Sequence, residues 1–179
     1  MLDFKAIWDK ALTFEAFLGA CKAEHCGLWQ GVYKFARVPE WAFAAVRAGE
    51  KRKLLVVAED WCGDASNTVP IIAKLADQAP GLELRVIMRD QNPEVMDQYL
   101  TNGARSIPIV IALDESFGEI GHWGPRPTEL QAWVMANRAT TPKAEPNSHT
   151  AAGTGTTAAC PEKTSLPAVS VPQVTDVVL

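Results

Sequence analysis

The 179-residue sequence holds only four cysteines, Cys21, Cys26, Cys62 and Cys160. They are too few and too scattered for a disulfide scaffold. It lacks a long run of Lys or Arg, the longest being Lys51-Arg52-Lys53, and 17 basic against 21 acidic residues give a formal charge of -4. A mildly acidic chain without a basic patch argues against nucleic acid as a partner. No apolar run approaches the roughly 18 residues of a membrane span, so no membrane partner is expected. The first ten residues lack a positive start followed by a long apolar stretch, and no secretory signal is expected. These absences together predict a reducing, cytoplasmic setting. There is no internal repeat.

What the chain has is apolar content, 47% of its residues, arranged in three zones. Residues 1–50 read as an N-terminal helical extension. Phe4, Ile7, Trp8, Ala11, Leu12, Phe14, Phe17 and Leu18 recur at helical spacing, Gly27 is the expected stop, and a second helix is expected between Pro39 and Ala48, closed by Gly49. Residues 51–138 read as the folded domain. Leu54 to Ala58 is a strand-length apolar run, as for a strand buried on both faces. A helix from Gly63 to Gln78 follows, then a strand from Leu82 to Met88. Asn92 and Pro93 open a helix expected to reach Thr101. Pro108 to Leu113 and Phe117 to Trp123 read as a strand hairpin, and Thr128 to Arg138 as a closing helix. The expected class is α/β, a mixed four-stranded central sheet flanked by helices, with parallel strands joined by a right-handed crossover. From residue 139 to 179 Ala, Thr, Pro, Ser and Val dominate and no aromatic occurs. Such a stretch buries too little to offset its ordering entropy and reads as a disordered tail.

Cys62 falls between the first strand and the helix after it. At a helix N-terminus unpaired N–H groups and the helix dipole favour an anion, here a thiolate. Glu59, Asp60 and Asp64 oppose it, since like charges disfavour one another. Trp61 is expected to shield one side of the thiol.

The string Trp61-Cys62-Gly63 after an apolar strand resembles the thioredoxin active-site pattern. Pro70 stands where thioredoxins carry a helix-kinking proline, and Asp90-Gln91-Asn92-Pro93 resembles the segment after their next strand. Gly103 to Pro108 resembles the loop that ends in their cis-proline, with Pro108 in that place. The resemblance spans about Lys53 to Asn137. The string Glu59-Asp60-Trp61-Cys62-Gly63-Asp64-Ala65 looks more like a bacterial thioredoxin-like subfamily with a monothiol site than like thioredoxin itself. It implies the thioredoxin fold, with Cys62 as nucleophile, Trp61, Asp64 and Pro108 completing the catalytic set, and Ile107 and Arg105 on the substrate side. The departures are specific. Ala65 stands in the place of the resolving cysteine and Asp64 in that of the intervening proline. Val56 and Val86 align with the buried aspartate and its partner lysine. The implied chemistry is therefore thiol–disulfide exchange by one thiol. Its partners would be protein or low-molecular-weight thiols and disulfides, and it needs no cofactor. The competing reading is a non-redox binding module that kept the groove and lost the chemistry. A monothiol glutaredoxin with an iron–sulfur cluster fits less well, because no glycine pair follows Pro108.

Cys21, His25 and Cys26 lie close in sequence, but three candidates without a fourth fall short of a structural zinc site. They are read as ordinary buried or surface side chains, and Cys160 as a bystander in the tail. His122 and Trp123 are assigned to a strand edge, and Gly124-Pro125-Arg126-Pro127 to the start of a helix.

Overall fold

The computed structural model describes residues 2–46 and 51–137. The expected tail, 139–179, and Cys160 with it, lie outside the described residues.

The run Leu54 to Ala58 forms the centre of the sheet. β2 (Arg52–Ala58) is fully buried from Leu55 onward, so both of its faces are covered. It pairs in parallel with β3 (Leu82–Met88), with Val56 opposite Val86. On its other side it pairs antiparallel with β4 (Ile109–Leu113), with Val56 opposite Val110. β5 (Glu119–Trp123) completes a hairpin with β4. The crossover between β2 and β3 is α5 (Gly63–Gln78), whose Ala65, Val69, Ala73 and Ala76 are buried at three- and four-residue spacing. That is the apolar stripe of a helix lying on a sheet.

Among the described residues the sheet has five strands in the order β1-β3-β2-β4-β5, where the sequence predicts four. The additional strand, β1 (Leu12–Thr13), follows α1 (Phe4–Lys10) and pairs antiparallel with β3, Leu12 opposite Val86 and Thr13 opposite Arg85. Two residues are too few to show a two-residue period, and the helical spacing on either side masks them. Thr13 also caps α2 (Phe14–Ala20): its hydroxyl oxygen accepts the Ala16 N–H at 3.1 Å. The residues before β2 therefore add an edge strand to the sheet and share its core, since Phe17 and Trp29 are fully buried with Leu55 and Val57.

Gly27 does not stop a helix. α3 (Ala23–Phe35) runs through it. The interruption falls instead at Cys21 and Lys22, both in extended backbone. A glycine costs a helix interior about 1 kcal/mol, less than burial of Trp29 two residues later returns. α4 (Glu40–Ala45) follows Pro39. α6 (Pro93–Met96) is a single turn and ends well before Thr101. The Asn92 side chain donates to Met88 O at 2.7 Å rather than capping α6. β5 starts two residues later than predicted, because the Asp114 carboxylate gathers the Ser116 and Gly118 N–H groups into a turn that places Phe117 at φ 67°. α7 (Thr128–Asn137) closes the described chain. No helix among the described residues is long and apolar enough to cross a membrane.

Candidate functional site

β2 delivers the chain from the buried Ala58 into the loop Glu59 to Cys62, and α5 begins at Gly63. Cys62 is the N-cap residue of α5, in extended backbone. The loop is anchored by its own acids. Glu59 is buried and accepts the Asp90 N–H at 2.9 Å. Asp60 is buried too; its carboxylate accepts the Lys22 N–H at 2.8 Å and lies 3.2 Å from His25 Nδ1. Burial pushes the Asp60 carboxyl up, but the Lys22 N–H and His25 outweigh it and hold it below the usual carboxylate range. The Asp60 carbonyl accepts the indole N–H of Trp29 at 2.8 Å. Two acids that counted against a thiolate in the sequence thus serve as struts, tying the loop to β3's far end and to α3.

Cys62 is 8% exposed. Its thiol donates to Ile107 O across 3.5 Å, which brings the loop before Pro108 over the sulfur. Burial raises the Cys62 pKa above its ordinary 9.0. The Ala65 and Asp64 N–H groups pull the other way, the Asp64 charge raises it further, and the Arg126 charge lowers it. Desolvation wins, so the resting site holds a thiol. Ala65, one turn along α5, is fully buried, and no second sulfur occupies that place.

Of the residues singled out from sequence, Trp61, Cys62, Arg105 and Ile107 line one groove of about 600 Å³, together with Arg89 and Arg126. Trp61 is 47% exposed, and the Arg89 guanidinium lies 4.9 Å from its ring centre. Arg105 grips Asp97 with two N–H groups at 2.7 and 2.8 Å. Pro108 is buried and follows a cis peptide bond at Ile107. Asp64 stands beside the groove with its carboxylate bound by Arg126, whose Nε lies at 3.1 Å and whose Nη2 also donates to it. Arg126 further donates to Gln131 at 3.0 Å.

Arg89, Arg126 and Gly124 are the residues that sequence reasoning missed. Arg126 is 62 positions from Asp64, and nothing local announces the pairing. Gly124 has φ 135°, and a Cβ there would sit 2.1 Å from Pro108 O. The run Gly124 to Pro127 is thus a close packing of backbone against Pro108 as well as the approach to a helix. That demand was concealed because glycine and proline mark turns generally.

Val56 and Val86 face one another in register and are fully buried. Cys21 ends α2 while His25 and Cys26 belong to α3, so Cys21 and His25 lie on different helices despite their closeness in sequence. The Cys26 thiol donates to Leu18 O at 3.7 Å, and burial with the nearby Asp60 charge pushes the Cys21 thiol up to about 11. Among the described residues no three metal-ligating side chains converge.

A family model described as Thioredoxin matches residues 11–143 of the chain. No curated protein matches it in sequence. Among solved structures, a protein of unknown function from Pseudomonas aeruginosa is 23% identical and superimposes with a TM-score of 0.66, over 78% of this chain and 87% of its own. An HIV epitope scaffold is 22% identical with a TM-score of 0.65, over 76% of this chain and 87% of its own. At such identities these likenesses concern the fold.

Proposed function

The chain belongs to the thioredoxin family, and from that footing we propose that Cys62 carries out thiol–disulfide exchange as a single thiol. The observation that carries this reading is the position of its sulfur. It sits at the N-terminus of α5 beside an open groove, while the buried Ala65 leaves no partner thiol one turn on. Cys62 loses its proton to solvent, and the thiolate attacks one sulfur of a disulfide. A bond forms between Cys62 and that sulfur, the old sulfur–sulfur bond breaks, and the other half departs as a thiolate. A second thiol from outside the site then attacks the mixed disulfide and frees Cys62. The backbone around Ile107 and Pro108 holds the extended substrate, Arg105 contacts it, and Trp61 walls one side of the sulfur. Asp64, held by Arg126, tunes the thiol through its charge. The reaction asks for no cofactor.

The test is intact-mass analysis with peptide mapping after treatment with a small disulfide. One adduct on Cys62 that persists until free thiol is added supports the reading. The chain should also fail to turn over in a disulfide-reduction assay that a dithiol protein completes. Burial of Cys62 and its bond to Ile107 O favour a second reading, a binding module without redox chemistry. That reading is correct if Cys62 stays unmodified in the folded chain and reacts only after unfolding.

A further inference from the structure

Resting on the exchange reading above, we propose that the groove beside Cys62 selects disulfides carrying carboxylates near the reacting sulfur. The chain as a whole is acidic, with a formal charge of -4. The groove reverses that sign: its charged lining residues are Arg89, Arg105 and Arg126, with no acid among them. Each arginine is held by a carboxylate that is not part of the lining: Asp90 for Arg89, Asp97 for Arg105 and Asp64 for Arg126. These acids take one or two N–H groups from each guanidinium, and the fork geometry leaves others for a ligand. Arg89 is fixed further by its position over the Trp61 ring and by donation to Arg105 O at 3.3 Å. Arg126 is fixed by Gln131.

Cations held in place before a ligand arrives lose little side-chain entropy when it binds. A planar guanidinium matches a carboxylate with two parallel N–H groups, and the carboxylate is the common anionic group of peptides and small thiols. The acids nearest in sequence to Cys62 on the other side, Glu59 and Asp60, are buried and occupied by the Asp90 and Lys22 N–H groups. The groove therefore presents three guanidinium groups to a substrate, each with N–H groups left over from its carboxylate partner. The covalent step is unchanged: the Cys62 thiolate attacks the sulfur that carries the anchored carboxylate, and the other half leaves as a thiolate that takes a proton from water. Such a substrate is either a small carboxylate-bearing disulfide or a cysteine within an acidic protein segment.

The experiment compares the rates at which three small disulfides label Cys62 in the full chain. They are 3,3'-dithiodipropionate, which is anionic, 2-hydroxyethyl disulfide, which is neutral, and cystamine, which is cationic. Rates are read by intact mass and peptide mapping. The anionic reagent should outpace the cationic one about tenfold or more at low salt, and the ratio should shrink severalfold at about 0.5 M salt, where the screening length falls to a few Å. Arg105→Gln and Arg126→Gln should each lower the ratio about two- to fivefold, with melting curves confirming that the variants fold. The ratio is the readout because Arg126 also alters the thiolate fraction, and a change in that fraction divides out. Labelling by the neutral reagent with an anion-to-cation ratio of one or below overturns the proposal and leaves the exchange reading standing. Failure of all three reagents on the folded chain overturns both. A disulfide-linked peptide with aspartates beside its cysteine, faster than its asparagine counterpart and than dithiodipropionate, identifies the acidic segment as the source. Equal rates for the two peptides, with the small-molecule ratio intact, identify the small disulfide.

Discussion

Replacing Trp29 with phenylalanine tests how the helices before β2 support the site. Trp29 is fully buried, packs edge-on against Phe17 with ring centres 4.8 Å apart, and donates its indole N–H to Asp60 O at 2.8 Å. Trp29→Phe keeps most of the packing and deletes the donor. A buried carbonyl left without its partner costs about 1–3 kcal/mol. The smaller ring leaves a void worth roughly another 1 kcal/mol. The expected loss is therefore about 2–4 kcal/mol, a large part of a typical 5–15 kcal/mol stability. For a domain of this size that lowers the melting temperature by roughly 4–16 °C. Urea unfolding followed by circular dichroism measures the loss directly, and an unchanged slope with denaturant shows that the compactness of the folded state has not altered. Because Asp60 lies two residues before Cys62, the same variant should label Cys62 faster with a thiol reagent. A loss below about 0.5 kcal/mol together with an unchanged labelling rate would refute the view that α3 anchors the loop. A reduced slope would show instead that the helices before β2 detach as a unit.

Cys62→Ser should abolish mixed-disulfide formation while leaving stability the same or up to about 1 kcal/mol higher, since serine is a favoured N-cap and Ile107 O remains as an acceptor; thermal melting and intact mass check both halves. Asp64→Asn should lower the Cys62 pKa, because it removes a like charge and leaves Arg126 facing the sulfur with its attraction undivided. In wild type, thiol labelling should climb about tenfold per pH unit until the raised pKa is passed, and in the variant the plateau should begin at lower pH; a shift to higher pH would contradict the assignment. Gly124→Ala should destabilise the domain by several kcal/mol, since φ 135° and a Cβ 2.1 Å from Pro108 O exceed the roughly 1–3 kcal/mol of an unfavourable backbone region alone; a melting temperature within a degree or two of wild type would show that the turn rearranges freely. Ala65→Cys should give only weak disulfide reduction, and adding Val56→Asp should raise it more than the sum of the separate changes in log rate, because a buried carboxylate at β2 serves only a resolving thiol; strict additivity would count against that coupling.

The central strands were legible because their signal is local and strong. A continuous apolar run such as Leu54 to Ala58 has one good use in a folded chain, a strand covered on both faces. Gly63 to Gln78 likewise announced its helix through a single apolar stripe. β1 was not legible, for it is two residues long and is defined by its partner β3 rather than by its own pattern. Gly27 misled because glycine's tolerance of a helix end says nothing about a helix interior when a buried tryptophan lies two residues away. The end of α6 was misplaced for a related reason: its first turn carries clear signals in Asn92 and Pro93, but nothing in the residues up to Thr101 marks where helical geometry stops.

The site divides along the same line. Cys62, Trp61 and the loop before Pro108, which the fold brings together at one groove, stand out in the sequence because each sits at the junction of two legible elements. The electrostatics were not found, because they depend on contacts between distant segments. Glu59, Asp60 and Asp64 looked like three equal obstacles to a thiolate. In the fold the first two are turned inward, onto the Asp90 and Lys22 N–H groups, and only Asp64 bears on the sulfur. Its charge is in turn met by Arg126, a residue whose local sequence suggested no more than a turn. Desolvation, which no reading of charge pattern can supply, then outweighs all of these and raises the thiol pKa. A disulfide entering the groove covers the sulfur further, which adds to the desolvation that already disfavours the thiolate. A carboxylate set among Arg89, Arg105 and Arg126 would meet their positive charge and leave less of it for Cys62, favouring binding over ionisation. The two effects oppose one another, and the labelling rate of the anionic disulfide against pH separates them: a larger advantage at high pH, where ionisation is no longer limiting, is the mark of a groove that acts through binding.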